Sequence, residues 1–106
     1  MKTKCMVEKS VIKTSIANPI KVEFKIICVK NELTISNMIE NLIETLLSTD
    51  RYIPRDLEYE DNNMQVVKAY LPKELKLRFR IFCTQRQIPM NYVLRYLIET
   101  RVQGDS

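Results

Sequence analysis

The sequence predicts a mainly α fold in which one antiparallel ribbon of two short strands lies over four helices. Three observations predict it: a stretch of chain returns after 55 positions, an alternating apolar segment precedes each copy, and the 106 residues include a single glycine. Scarce glycine leaves few places for the positive-φ turns of hairpin-rich all-β folds or for loops that cradle phosphates. Helices are what remain.

The repeat carries the most weight, because a fixed internal period settles architecture before local propensity does. Ile20 to Cys28 (IKVEFKIIC) returns as Leu75 to Cys83 (LKLRFRIFC), and the match extends from Val11 through Thr45 onto Val66 through Thr100 with ten identities and no gap. The identical pairs are Val11/Val66, Lys13/Lys68, Lys21/Lys76, Phe24/Phe79, Ile26/Ile81, Cys28/Cys83, and the run Leu42, Ile43, Glu44, Thr45 against Leu97, Ile98, Glu99, Thr100.

In the first copy, a strand is expected over Val11 to Ile16. Asn18 followed by Pro19 reads as a cap ahead of a proline in the first turn, which opens a helix running to about Asn31. Its core face is Ile20, Phe24, Ile27 and Cys28, at helical spacing. A turn at Leu33 to Ile35 leads into a second helix, Ser36 to Leu47. Ser48 to Asn63 (STDRYIPRDLEYEDNN) is rich in Asp, Glu and Asn and reads as a solvated linker, with Tyr52, Ile53, Leu57 and Tyr59 available to pack along the surface.

The second copy has the same plan. Val66 to Leu71 alternates, with Val67, Ala69 and Leu71 on one side and Val66, Lys68 and Tyr70 on the other, the period of a half-buried strand. Pro72 ends it. Pro72 and Lys73 open a helix with Leu75, Phe79, Phe82 and Cys83 on one face. Ile88 and Pro89 break that helix, and a last one, carrying Val93, Leu94, Leu97 and Ile98, runs to about Val102.

A lone strand leaves backbone groups unpaired, and two equivalent strands in one chain remove the problem by pairing with each other. The linker then has only to carry the chain from one unit to the next, and its 16 residues reach ~50 Å when extended. The expected organisation is a flexible basic arm (1–9), a first strand-helix-helix unit (10–47), an acidic linker (48–63), a second unit (64–102) and a tail (103–106), with the two units forming one compact domain.

Charge is distributed unevenly. The first copy is neutral, with four lysines and four glutamates, whereas the second holds eight basic and two acidic residues. The formal net charge of +4 permits a polyanionic partner, and the second copy should dominate attraction to phosphate, with Lys2, Lys4 and Lys9 as helpers from the arm. With no histidine and three scattered cysteines, a zinc site and an imidazole acid/base are ruled out by inventory. No convergent nucleophile or acid/base set is present, so neither an enzyme nor a cofactor is expected. Cys28 and Cys83 read as small core hydrophobes rather than a redox pair. The odd thiol count, the missing apolar run of transmembrane length and the absence of a signal-peptide pattern point to the cytoplasm.

The pattern Val67-Lys68-Ala69-Tyr70-Leu71-Pro72 followed by Glu74-Leu75 resembles the ribbon-helix-helix superfamily of the Arc, MetJ and CopG repressors. The resemblance covers both copies, about three quarters of the chain, and two units in one chain are similar to the TraY-like conjugation proteins. It implies a tandem ribbon-helix-helix fold, a single-chain pseudo-dimer. Ala17 departs from the family proline in the first copy, and Glu32 and Gln87 stand where the family often has glycine before the second helix.

The resemblance further implies that the ribbon enters the major groove of double-stranded DNA. The base-reading residues would be Val11, Lys13 and Ser15 from the first strand and Val66, Lys68 and Tyr70 from the second. Their chemistry suits this: lysine donates to guanine O6 and N7, serine bonds a base edge, and valine meets a thymine methyl; Tyr70 has a phosphate as its alternative target. The starts of the second helices would face phosphates, through Thr34, Ile35 and Ser36 in one copy and Met90 and Asn91 in the other. A transcriptional repressor is the expected role. An accessory factor at a transfer origin uses the same residues, and an antitoxin or other protein-binding module ranks below both.

One stripe does not belong to the core pattern. Val22, Ile26 and Val29 lie about 180° around the first helix from Ile20, Phe24 and Ile27, given 100° per residue, and Leu77 and Ile81 repeat them. They are either scattered exposed apolar residues or a protein contact, for instance between neighbouring molecules on DNA. Tyr92 and Tyr96 are expected to cover the edge of the core, with a phosphate contact as the lesser option.

Overall fold

The alternation of the two repeated segments becomes a two-stranded antiparallel sheet, and the 3.6-residue periodicity becomes four helices around it. The structure, a computed structural model, describes residues 8–54 and 63–104. In chain order the elements are β1 (Lys9–Ala17), α1 (Asn18–Lys30), α2 (Ile35–Thr49), β2 (Met64–Pro72), α3 (Lys73–Gln85) and α4 (Met90–Gly104). The protein is thus mainly helical with one small ribbon. None of the helices among the described residues is long and apolar enough to cross a membrane.

The register places Lys13 opposite Lys68, Val11 opposite Tyr70 and Ser15 opposite Val66. The 55-residue offset carries Lys13 onto Lys68, so equivalent residues of the two copies meet and a pseudo-twofold axis passes between them, perpendicular to the ribbon. The inner face of the ribbon is Ile12, Thr14 and Ile16 from β1 and Val67, Ala69 and Leu71 from β2, all buried. Helices pack beneath it, and Phe24 and Phe79, equivalent residues of α1 and α3, are fully buried. Truncating either to alanine would cost about 3–5 kcal/mol.

The copies interlock. α4 of the second copy packs on β1 and α1, while α2 of the first packs on β2 and α3. Each strand is therefore covered by the other copy's second helix, which makes the two units one folding body.

Several boundaries differ from the sequence expectation. Both strands are longer, because backbone pairing continues past the last residues with a core face: Lys9, placed in the arm by charge, pairs with Pro72, and Ala17 with Met64. Beyond those pairs, Asn18 N–H donates to Asn63 O at 3.0 Å and Lys73 N–H to Glu8 O at 2.9 Å, equivalent bonds at the two ends of the ribbon. Asn18 is consequently not the cap of α1. The N-cap is Ala17, which makes no side-chain cap bond. α2 starts one residue early under the true cap, Thr34, whose hydroxyl accepts from Asn37 N–H at 3.0 Å. α2 runs on to Thr49 and α4 to Gly104, taking residues from the expected linker and tail. Of the linker residues expected to pack, Ile53 is in the core and Tyr52 is exposed; Leu57 and Tyr59 lie outside the described residues, as do Lys2 and Lys4.

The first helix of each copy ends in the same way. Leu33 N–H bonds Cys28 O and Glu32 N–H bonds Val29 O; Ile88 N–H bonds Cys83 O and Gln87 N–H bonds Thr84 O. These are paired Schellman caps, which require the residue after the C-cap to be left-handed. Glu32 and Gln87 both have φ of 56°. The two positions that depart from the family glycine thus keep the conformation glycine would supply. Cys28 and Cys83 sit at the capped carbonyls, buried and free. Burial raises both thiol pKa values against the nearby Arg101 and Arg86, that of Cys83 to about 11.

Candidate nucleic-acid interface

Strand alternation sends one set of side chains outward, and the six residues singled out in the sequence form it. Val11, Lys13, Ser15, Val66, Lys68 and Tyr70 are all exposed on one face of the ribbon. Val11 O and Tyr70 N–H point away from the partner strand, since they bond Lys76 Nζ at 2.9 Å and Ser36 Oγ at 2.9 Å respectively. Val11/Tyr70 is therefore a non-hydrogen-bonded pair. Pairs alternate along an antiparallel ladder, so Lys13/Lys68 is another, the type in which facing side chains come closest. Two ammonium groups are thereby held side by side on the pseudo-axis, at the centre of the outward face.

The helix starts flank this face. At α2, the amides of Ile35 and Ser36 precede the first intrahelical bond, Met38 N–H to Thr34 O at 3.0 Å; at α4 the corresponding bond is Val93 N–H to Pro89 O at 3.2 Å. Free amides and the positive dipole end make such positions receptive to an anion. The side chains of Ile35 and Met90 pack against the core, so these residues offer only their backbone. Thr34 already caps α2, and the Ser36 hydroxyl already accepts from Tyr70 N–H. Asn91 is exposed, while its carbonyl accepts from the Thr14 hydroxyl at 2.8 Å.

Thr14, Lys21, Lys76 and Arg95 were not singled out in the sequence. Thr14 is the buried polar side chain of the described residues, 5% exposed, and it ties β1 to α4. Lys21 Nζ donates to Val66 O at 3.0 Å, matching the Lys76 bond to Val11 O. These equivalent lysines brace the two outer edges of the ribbon and bring positive charge beside it. Their identity in both copies was the available signal. Arg95 lines a groove with Lys13, Ser15, Val66 and Asn91, and pairs with Glu99 at 3.2 Å. Its equivalent in the first copy is Glu40, so the two flanks of the ribbon differ in charge.

The remaining candidates fall elsewhere. Tyr92 donates its hydroxyl to Pro54 O at 2.5 Å, and Tyr96 lies under the Arg51 guanidinium, 5.5 Å from ring centre. Both also pack on the core, as expected. Val22, Ile26 and Val29 on α1, and Leu77 and Ile81 on α3, are exposed, away from the core. Among the described residues no group of three potential metal ligands comes together. No family model, curated protein or solved structure matches the chain.

Proposed function

We propose that the protein is a tandem ribbon-helix-helix DNA-binding protein that reads a specific double-stranded sequence with its ribbon, as a transcriptional repressor. The observation that carries this reading is the outward face of the ribbon, where Lys13 and Lys68 meet on the pseudo-axis between Val11, Ser15, Val66 and Tyr70. Nothing in the fold gains from placing two cations together there. A two-stranded ribbon fits the major groove, about 12 Å wide, with the amides of α2 and α4 positioned to hold the phosphates on either side. The pseudo-twofold axis suits a site with two half-sites. Because Val11, Ser15 and Glu40 in one copy face Val66, Tyr70 and Arg95 in the other, those half-sites need not be identical.

Selection of bound duplexes from random DNA should return one sequence class. On that sequence Lys13→Ala and Lys68→Ala should each lower affinity by about 5- to 100-fold at constant salt, with a smaller loss on random duplex. An equal loss on both would mean that these lysines only touch phosphate. Absence of any selected sequence would overturn the reading.

A further inference from the structure

The identities between the two copies sort themselves by place. Phe24/Phe79, Cys28/Cys83 and Ile43/Ile98 are buried, Leu42/Leu97 lies in or against the core, and Val11/Val66 is on the ribbon. Ile26/Ile81 is the identical apolar pair with neither role: the two are 43% and 48% exposed. Val22 and Leu77, one turn earlier and also equivalent, are 45% and 55% exposed. Each copy therefore repeats an outward apolar stripe that its own fold does not use.

The stripes lie on opposite flanks. α1 and α3 do not touch, and the pseudo-twofold axis between Lys13 and Lys68 relates them, so one bound neighbour cannot cover both. The charges beside the stripes differ. Exposed Glu23 borders the α1 stripe, and its equivalent beside the α3 stripe is exposed Arg78, with Arg80 on the other side. An α3–α3 contact would set these arginines against their own copies, and an α1–α1 contact would set Glu23 against itself. A contact between α1 and α3 alone puts an acid beside a base along the apolar seam. We infer that the occupant of each stripe is a second copy of this chain, docked head to tail, with the α1 stripe of one molecule on the α3 stripe of the next. Such a heterologous contact does not close on itself and extends into a row. The axis is perpendicular to the ribbon, so every molecule in the row presents its ribbon on the same side.

The contact is independent of DNA, and so is its test. Sedimentation of the full chain without DNA, at concentrations up to about 1 mM, should show mass rising with concentration. Ile26→Asp and Ile81→Asp should each stay monomeric, whereas an equimolar mixture should form dimers and stop there, because each variant keeps the stripe the other lacks. A monomeric wild type throughout, or a single variant that dimerises alone, would overturn the proposal. Glu23→Arg should weaken association about tenfold and Glu23→Arg with Arg78→Glu should restore it; failure of that restoration would also overturn it. Circular dichroism reports whether each variant is folded, and the charge pair decides the matter if an aspartate variant is not.

Discussion

Removing one of the two central lysines should move stability and DNA binding in opposite directions. Lys13 and Lys68 face each other as a non-hydrogen-bonded cross-strand pair and both are exposed. With the ammonium groups splayed to about 7 Å, Coulomb's law in water gives a repulsion of about 0.6 kcal/mol, within the range for like charges opposite one another in a sheet. Lys68→Gln keeps the aliphatic stem and removes the charge, so it should stabilise the fold by about 0.3–0.6 kcal/mol. For a chain of this length that is a rise of about 1–5 °C in Tm. Thermal melts at low salt should show the rise, and melts at about 0.5 M salt should show little of it, since screening has already weakened the repulsion. Lys13→Gln should behave alike, and the double variant should gain little more, because either change breaks the same pair. Affinity for the selected duplex should fall in both single variants. A lower Tm at low salt, or a gain that persists unchanged in high salt, would refute the electrostatic argument. A Tm rise without loss of DNA affinity would keep the repulsion and remove its functional reason.

Glu32 and Gln87 hold left-handed conformations that cost an L-residue about 1–2 kcal/mol, partly offset by the greater freedom glycine has in the unfolded chain; Glu32→Gly and Gln87→Gly should each stabilise by about 0.5–1 kcal/mol in denaturant titrations. They sit in different copies, so the double variant should be close to additive. The buried Cys83 thiol stays protonated in the folded protein at pH values where the unfolded chain has ionised it. Stability should therefore fall as pH rises from the ordinary thiol value of 9.0 towards about 11, with a shallower fall in Cys83→Ala. Alkylation of native protein at pH 8 should leave Cys28 and Cys83 unmodified, and modification before unfolding would contradict their burial.

Much of this was legible in the chain because the copies repeat the same physical solution. Phe24 and Phe79, Cys28 and Cys83, and the alternation of Val67, Ala69 and Leu71 report burial through local periodicity, which needs no knowledge of what lies opposite. The outward ribbon residues follow from the same alternation. Boundaries were less legible where backbone pairing rather than side chains set them: Lys9 and Ala17 extend β1 by hydrogen bonds alone, and Asn18 uses its amide to close the ribbon instead of capping α1. Lys21, Lys76 and Thr14 were missed because their partners, Val66 O, Val11 O and Asn91 O, lie 45 to 77 positions away.

The sequence by itself determined two equivalent strand-helix-helix segments, their apolar faces and the uneven charge between them, since each depends on residues within a few turns of one another. Only the tertiary structure decided that Lys13 meets Lys68, that each strand is covered by the other copy's second helix, and that Ile26 and Ile81 end on opposite flanks. Those facts depend on register and on crossover between copies, and both come from contacts made across the whole length of the chain.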